Sequence, residues 1–124
     1  MIQPLALLVT ERAVPCRLLT EQLEKLQYRV LSTPEAARLA ALARHEKPMI
    51  VVMDLPASPE SVLTAIRELR VASDTGHIPL IAVVSTGDNA IETQLREAGA
   101  TLVTTESATN RHLKQLLEQA LQVE

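Results

Sequence analysis

The sequence predicts an α/β fold, a parallel sheet covered by helices on both faces, and three observations support this prediction. Short continuous apolar runs alternate along the chain with longer segments in which apolar residues recur every three or four positions. The first pattern is typical of strands buried on both faces, and the second is typical of amphipathic helices. A length of 124 residues with 47% apolar residues suits one domain, residues 1–124, with a single core.

The first half of the chain predicts three strands and two helices. Ser32 and Glu35 have the spacing of a capping box at the start of the second helix, and Pro34 suits its first turn. Lys47 and Pro48 are predicted to end that helix. The predicted strands are 5–9, 28–32 and 49–54, and the predicted helices are 14–27 and 32–46.

The second half continues the alternation to a total of five strands and five helices. Gly99 is predicted as the residue that follows the fourth helix. Strict alternation and right-handed crossovers favour a doubly wound, flavodoxin-like sheet with the strand order 2-1-3-4-5. The predicted elements are a helix from Ser58–Pro59 with Val62, Leu63, Ile66 and Leu69 inward, a turn at 73–77, a strand at 78–84, a helix bearing Ile91, Leu95 and Ala98, a strand at 102–105, and a helix at 108–122.

Composition and charge exclude several classes of partner. The chain has one Tyr, no Phe and no Trp, so it lacks the aromatic platforms on which single-stranded nucleic acids stack. A net charge of −3 gives no attraction to nucleic acids or anionic membranes. No apolar run is long enough to span a bilayer, residues 1–12 lack the positively charged start and the small-residue cleavage site of a signal peptide, and Cys16 is the single cysteine. We expect a cytoplasmic protein that binds neither nucleic acid nor membrane.

Acidic residues follow two neighbouring strands of the predicted sheet. Ligands bind at the carboxyl ends of strands 1 and 3 in this strand order. Those ends carry Thr10 with Glu11, and Asp54. Two interpretations stay open: Asp54 is a strand-end aspartate that bonds backbone groups, or it forms a weak divalent-cation site with Glu11, with or without Glu106.

Four stretches in this order resemble the receiver domains of bacterial two-component response regulators. They are LLVTER at 7–12, VVMDLP at 51–56, HIPLIAVVS at 77–85 and EAGAT at 97–101, and the resemblance spans nearly the whole chain. It implies the flavodoxin-like fold and a role in phosphorelay signalling. Receiver domains transfer a phosphoryl group to their own aspartate with the help of Mg²⁺.

The resemblance also implies a role for individual residues. Carried over one by one, the family positions fall on Asp54 (phosphoryl acceptor), Thr10 and Glu11 (acidic pair), Val84 with Ser85 beside it (hydroxyl), Glu106 (lysine) and Val103 (switch aromatic). Only the acceptor and one acid of the pair match the family. The loop after Asp54, DLPASPES, is also shorter than the family's loop.

The exchange of the family's lysine for Glu106 has the largest predicted effect. A phosphoryl transition state needs cations around its oxygens. Two unit charges 4 Å apart at an effective dielectric of 20 interact by about 4 kcal/mol. Replacing attraction by repulsion should therefore cost several kcal/mol, and we expect no self-phosphorylation at Asp54.

We therefore expect a pseudo-receiver that is not an enzyme, needs no cofactor and acts by protein–protein interaction. The resemblance implies that helix 4, strand 5 and helix 5, about 89–122, bind protein partners or a second copy of the chain.

The first alternative is a phosphorylatable receiver that uses Asp54 with Mg²⁺, with Ser85 as the hydroxyl. Two others are a small α/β enzyme, for which no phosphate loop or nucleophile–histidine pair is visible, and an anti-sigma-factor antagonist.

Overall fold

The computed structural model describes residues 4–11, 13–54, 60–84 and 89–122, and within these ranges five strands form one parallel sheet. The strand order is β2-β1-β3-β4-β5, so the predicted doubly wound, flavodoxin-like sheet is confirmed. The strands are β1 Leu5–Val9, β2 Arg29–Thr33, β3 Ile50–Asp54, β4 Leu80–Val84 and β5 Leu102–Thr105.

Helices follow the strands as the alternating pattern predicted. They are α1 Ala13–Lys25, α2 Leu39–Glu46, α3 Glu60–Val71, α4 Asn89–Ala98 and α5 Glu106–Gln122. A 3-10 turn, Ala36–Arg38, precedes α2. Helix α5 starts two residues before the predicted position, and its backbone is non-helical at His112 (φ −132°, ψ 30°), where the helix is kinked.

The predicted capping box at Ser32 is wrong. Ser32 lies in β2 and pairs with Leu8 of β1, so its backbone stays extended. The backbone N–H of Glu35 donates a hydrogen bond to Thr33 Oγ1 at 3.3 Å, and Glu35 precedes the 3-10 turn without a side-chain cap. Pairing with β1 therefore overrides the local helix-start signal. The predicted start of α3 at Ser58–Pro59 lies outside the described residues.

Two predicted helix ends are confirmed. Lys47 adopts a left-handed backbone conformation (φ 51°) after α2, and its N–H donates to Ala43 O at 2.9 Å. Gly99 follows α4 with φ 127°, and its N–H donates to Leu95 O at 3.2 Å. A positive φ of this size favours glycine because it has no Cβ.

The core consists of two apolar layers, one on each face of the sheet. Alternate residues of each central strand point to opposite faces, so Leu7 and Val51 pack towards α2, α3 and α4, whereas Leu8 and Val52 pack towards α1 and α5. All five residues of β1, β3 and β4 are buried. No helix in the described parts of the chain combines the length and apolar character needed to cross a membrane.

Candidate functional site

The end of β3 brings Asp54 against Thr10, the residue that follows β1. Val9 pairs with Met53 in the sheet, so the next residue on each strand, Thr10 and Asp54, are neighbours. The hydroxyl of Thr10 donates a hydrogen bond to Asp54 Oδ2 over 2.9 Å. Only 5% of Thr10 and 4% of Asp54 is exposed, so this contact is shielded from solvent. The structure thus places both residues at the predicted carboxyl edge.

Thr10 is also hydrogen-bonded to β2, the strand on the other side of β1. Its backbone N–H donates to Thr33 O at 3.1 Å, which extends the pairing of β1 with β2 by one residue. This second bond fixes the backbone of Thr10, so its hydroxyl is held near Asp54 by the sheet itself. Together, the two hydrogen bonds of Thr10 connect β2, β1 and β3 at the carboxyl edge of the sheet.

A threonine at this position changes the chemistry of the edge. An ionised carboxylate only accepts hydrogen bonds, so the Thr10 hydroxyl acts as the donor to Asp54. Mg²⁺ prefers anionic oxygen ligands, and a neutral hydroxyl that donates to the carboxylate competes with a cation for Oδ2. Among the described residues, no group of three or more His, Cys, Asp or Glu side chains could hold a metal ion. Beside Asp54, this edge therefore offers a cation the neutral Thr10 hydroxyl where a second buried carboxylate would be a stronger ligand.

Glu11, the other residue of the predicted acidic pair, is exposed. It directly follows Thr10 in the chain, after the end of β1. The buried contact to Asp54 is therefore made by the threonine, and the acidic member of the pair lies at the surface.

The two residues that the sequence resemblance assigned to the hydroxyl and aromatic positions, Val84 and Val103, are apolar and lie in or against the core. Val84 ends β4, is 8% exposed and pairs with Thr105 of β5. It belongs to the apolar layer towards α2, α3 and α4, and Val103 packs against the same layer. Both valines therefore contribute to apolar packing on that face of the sheet. Ser85, the other hydroxyl candidate, lies outside the described residues.

Glu106, which the sequence resemblance assigned to the lysine position, is the first residue of α5 and is half-buried. Thr105 caps this helix: its Oγ1 accepts a hydrogen bond from the backbone N–H of Ala108 at 3.2 Å. The Thr109 hydroxyl donates back to Thr105 O at 2.8 Å. Glu106 therefore lies at the start of a capped helix, where the helix dipole makes a negative side chain favourable.

Sequence reasoning missed two features of this edge. The Thr10–Asp54 hydrogen bond needs the register of β1 and β3, which the sequence pattern does not give. The Thr105 cap had a local signal, because a threonine before an acidic first turn is a common helix start. The prediction that α5 starts at residue 108 did not use this signal, and the helix starts at Glu106.

Similar solved structures are receiver domains. The BeF3-activated N-terminal receiver domain of Klebsiella pneumoniae RstA has a TM-score of 0.82 at 20% identity, over 96% of this chain and 99% of that chain. The receiver domain of a signal transduction histidine kinase from Syntrophus aciditrophicus has a TM-score of 0.83 at 18% identity, over 98% and 95%. A LuxR-family two-component response regulator from Aurantimonas sp. SI85-9A1 has a TM-score of 0.84 at 24% identity, over 97% and 86%.

Sequence comparison adds no closer relationship. No protein-family model matches the chain, and a search of curated proteins finds no relative. The architecture and its acidic carboxyl edge define a doubly wound α/β domain of the flavodoxin-like class. Within that class, the chain has the fold of response-regulator receiver domains, which confirms at the level of the fold the resemblance noted in the sequence.

Proposed function

We propose that this chain is a receiver-like signalling domain that does not accept a phosphoryl group and acts through protein–protein interaction. The observation that carries the proposal is the buried hydrogen bond from Thr10 to Asp54 Oδ2. It supports the proposal because Thr10 is a neutral donor at a position that the resemblance assigns to a cation-binding carboxylate. It also engages one oxygen of the side chain that would have to attack phosphorus.

The residue at the lysine position supports the same proposal. Receiver chemistry relies on positive charge around the phosphoryl oxygens. Here that position carries Glu106 in the first turn of α5. An acid fits the positive end of the helix dipole but repels an incoming phosphoryl dianion. The residue favours a stable helix over phosphoryl transfer.

The surface proposed for partners consists of α4, β5 and α5, residues 89–122, and it is assigned by analogy with the receiver fold. Helix α4 exposes charged side chains on this surface, including an ion pair between Arg96 and Glu92 at 3.0 Å. Lys114 and Glu118 are exposed on α5. Mixed charge of this kind suits a protein partner better than a polyanion.

Treatment with a small acyl phosphate and Mg²⁺, followed by intact-mass measurement, tests the loss of phosphoryl transfer. We expect no mass gain in the wild-type protein. The matched gain-of-function variant carries Thr10→Asp, Val84→Thr and Glu106→Lys, which restore three of the family residues that this chain lacks. This variant should gain one phosphoryl group, and adding Asp54→Asn should abolish the gain.

One outcome would replace the proposal by its alternative. If the wild-type protein gains a phosphoryl group that Asp54→Asn removes, the chain is a phosphorylatable receiver that uses Asp54 with Mg²⁺. Far-UV circular dichroism of every variant shows whether a missing mass gain reflects lost chemistry or lost folding.

A further inference from the structure

A solvent-open groove runs between α2 and α3, away from the α4–β5–α5 surface. It has a volume of about 730 Å³. Its wall on the α2 side is formed by Ala37, Ala40 and Ala41, and Arg44 lies at the far end of that wall. Ala37 and Ala41 are exposed, so another helix can approach the alanine part of this wall closely. We call this feature the α2–α3 groove.

The wall on the α3 side carries a regular row of exposed residues. Thr64, Arg67, Glu68 and Val71 follow the spacing of one helix face, and all four are exposed. Val71 is 84% exposed, more than any other exposed large apolar side chain among the described residues. An isolated exposed valine is ordinary, but this one stands in a groove that also carries four alanines.

This row is complementary to itself. A two-fold axis passing between residues 67 and 68 of two antiparallel α3 helices places Arg67 opposite Glu68 of the second copy. The same axis places Val71 opposite Thr64 of the second copy. Within the described parts of the chain, neither Arg67 nor Glu68 makes an ion pair or a side-chain hydrogen bond. Both charges are thus available for pairs between two copies.

The direction of α2 relative to α3 decides which end of α3 the alanine wall lies beside. Arg44 near the end of α2 pairs with Asp74, just beyond α3, at 3.4 Å, so the two helices run in the same direction. The alanine wall therefore lies beside the Thr64 end of α3. In the two-fold arrangement, this is the end that receives Val71 of the second copy.

We propose that the α2–α3 groove is an isologous interface with a second copy of this chain. Each copy inserts Val71 into the alanine-lined groove of the other, and two Arg67–Glu68 pairs set the register. The interface is small and has few apolar side chains, so the dimer is weak and its dissociation constant rises with salt. This proposal is independent of phosphoryl transfer and of the α4–β5–α5 surface.

Sedimentation equilibrium over a concentration series tests the interface. The wild-type protein is expected to show a reversible monomer–dimer equilibrium. Arg67→Glu and Glu68→Arg should each weaken dimerisation by about tenfold or more, because each places like charges opposite one another twice. The double reversal, Arg67→Glu with Glu68→Arg, should restore dimerisation, and Val71→Glu should abolish it. All these positions are exposed, so the fold is retained.

Matched charge changes on α4 provide the control. Glu92→Arg and Arg96→Glu, made singly, should leave the dissociation constant unchanged. A protein that stays monomeric at millimolar concentration overturns the proposal. It is also overturned by a dimer that is insensitive to the changes at 67, 68 and 71, or by one that is broken by the α4 variants, which would assign dimerisation to the α4–β5–α5 surface.

Discussion

At the scale of single residues, Arg70 joins three segments at the amino edge of the sheet. Its guanidinium donates to Ile78 O at 2.6 Å, Gly76 O at 3.0 Å and Gly99 O at 2.8 Å. It also donates to the hydroxyl of Thr101 at 3.2 Å. Burial lowers the pKa of Arg70 by desolvation, yet a guanidinium remains charged at neutral pH. These bonds connect the end of α3 to the loops before β4 and β5.

Gly99 is closely packed against this arginine, and Gly99→Ala should destabilise the protein. A Cβ at this position would lie 2.5 Å from Arg70 Cγ and 3.1 Å from Nε, and φ is already 127°. Strained backbone and steric conflict together should cost about 2–4 kcal/mol in the free energy of unfolding. Urea denaturation followed by circular dichroism measures the loss.

A double-mutant cycle separates the two causes. Arg70→Ala removes the hydrogen bonds and the steric conflict together, so the pair Arg70→Ala and Gly99→Ala should cost less than the sum of the single changes by about 1 kcal/mol. Arg111→Ala, at an exposed position of α5, is the control and should change stability by less than about 0.5 kcal/mol. Strict additivity would show that contact with Arg70 contributes nothing to the requirement for glycine.

The candidate site shows how far residue-level prediction from sequence reaches. The strand pattern placed Thr10 and Asp54 at one sheet edge, and they are in contact. That contact is a hydrogen bond between them, and it depends on the offset between β1 and β3, which no local signal encodes. Arg70 was missed for a similar reason, since its four acceptors lie 6, 8, 29 and 31 residues further along the chain.

At the scale of elements, the apolar runs predicted strands better than capping signals predicted helix starts. The bounds predicted for β1 and β5 match those of the structure. Two other signals were misjudged, the capping box at Ser32 and the start of α5. The central residues of a strand can be located from local apolar content. Ser32, in contrast, lies at a junction where pairing with β1 competes with helix formation.

The cap of α5 gives a prediction at this scale. Thr105→Ala removes the acceptor for the Ala108 N–H, and it should lower the free energy of unfolding by about 0.5–2 kcal/mol. Thr105→Ser keeps the hydroxyl and should retain most of that stability. Urea denaturation of both variants measures the difference. Equal stability of the alanine and serine variants would mean that the hydroxyl does not hold the helix start.

At the scale of the whole molecule, burial is uneven across the sheet. Every residue of β1, β3 and β4 is buried, whereas β2 and β5 each keep a single buried residue. The strand order explains this, because β2 and β5 are the edges and each pairs with one neighbour. The alternation of strands and helices was enough to predict that order. The exposed surfaces were not predictable in the same way, since the α2–α3 groove depends on how two helices pack.

Uneven burial predicts a gradient of local stability. Backbone amides of Val51, Val52 and Met53 lie between two paired strands and should exchange only on global unfolding. Hydrogen-bonded amides of β2 can exchange when one edge strand opens, so their opening free energy should be lower by about 1–2 kcal/mol. Native-state hydrogen exchange by NMR at increasing denaturant measures both values against the free energy of unfolding from urea. If β2 amides open at the same free energy as those of β3, the sheet unfolds as one cooperative unit, and edge position has no influence on its local stability.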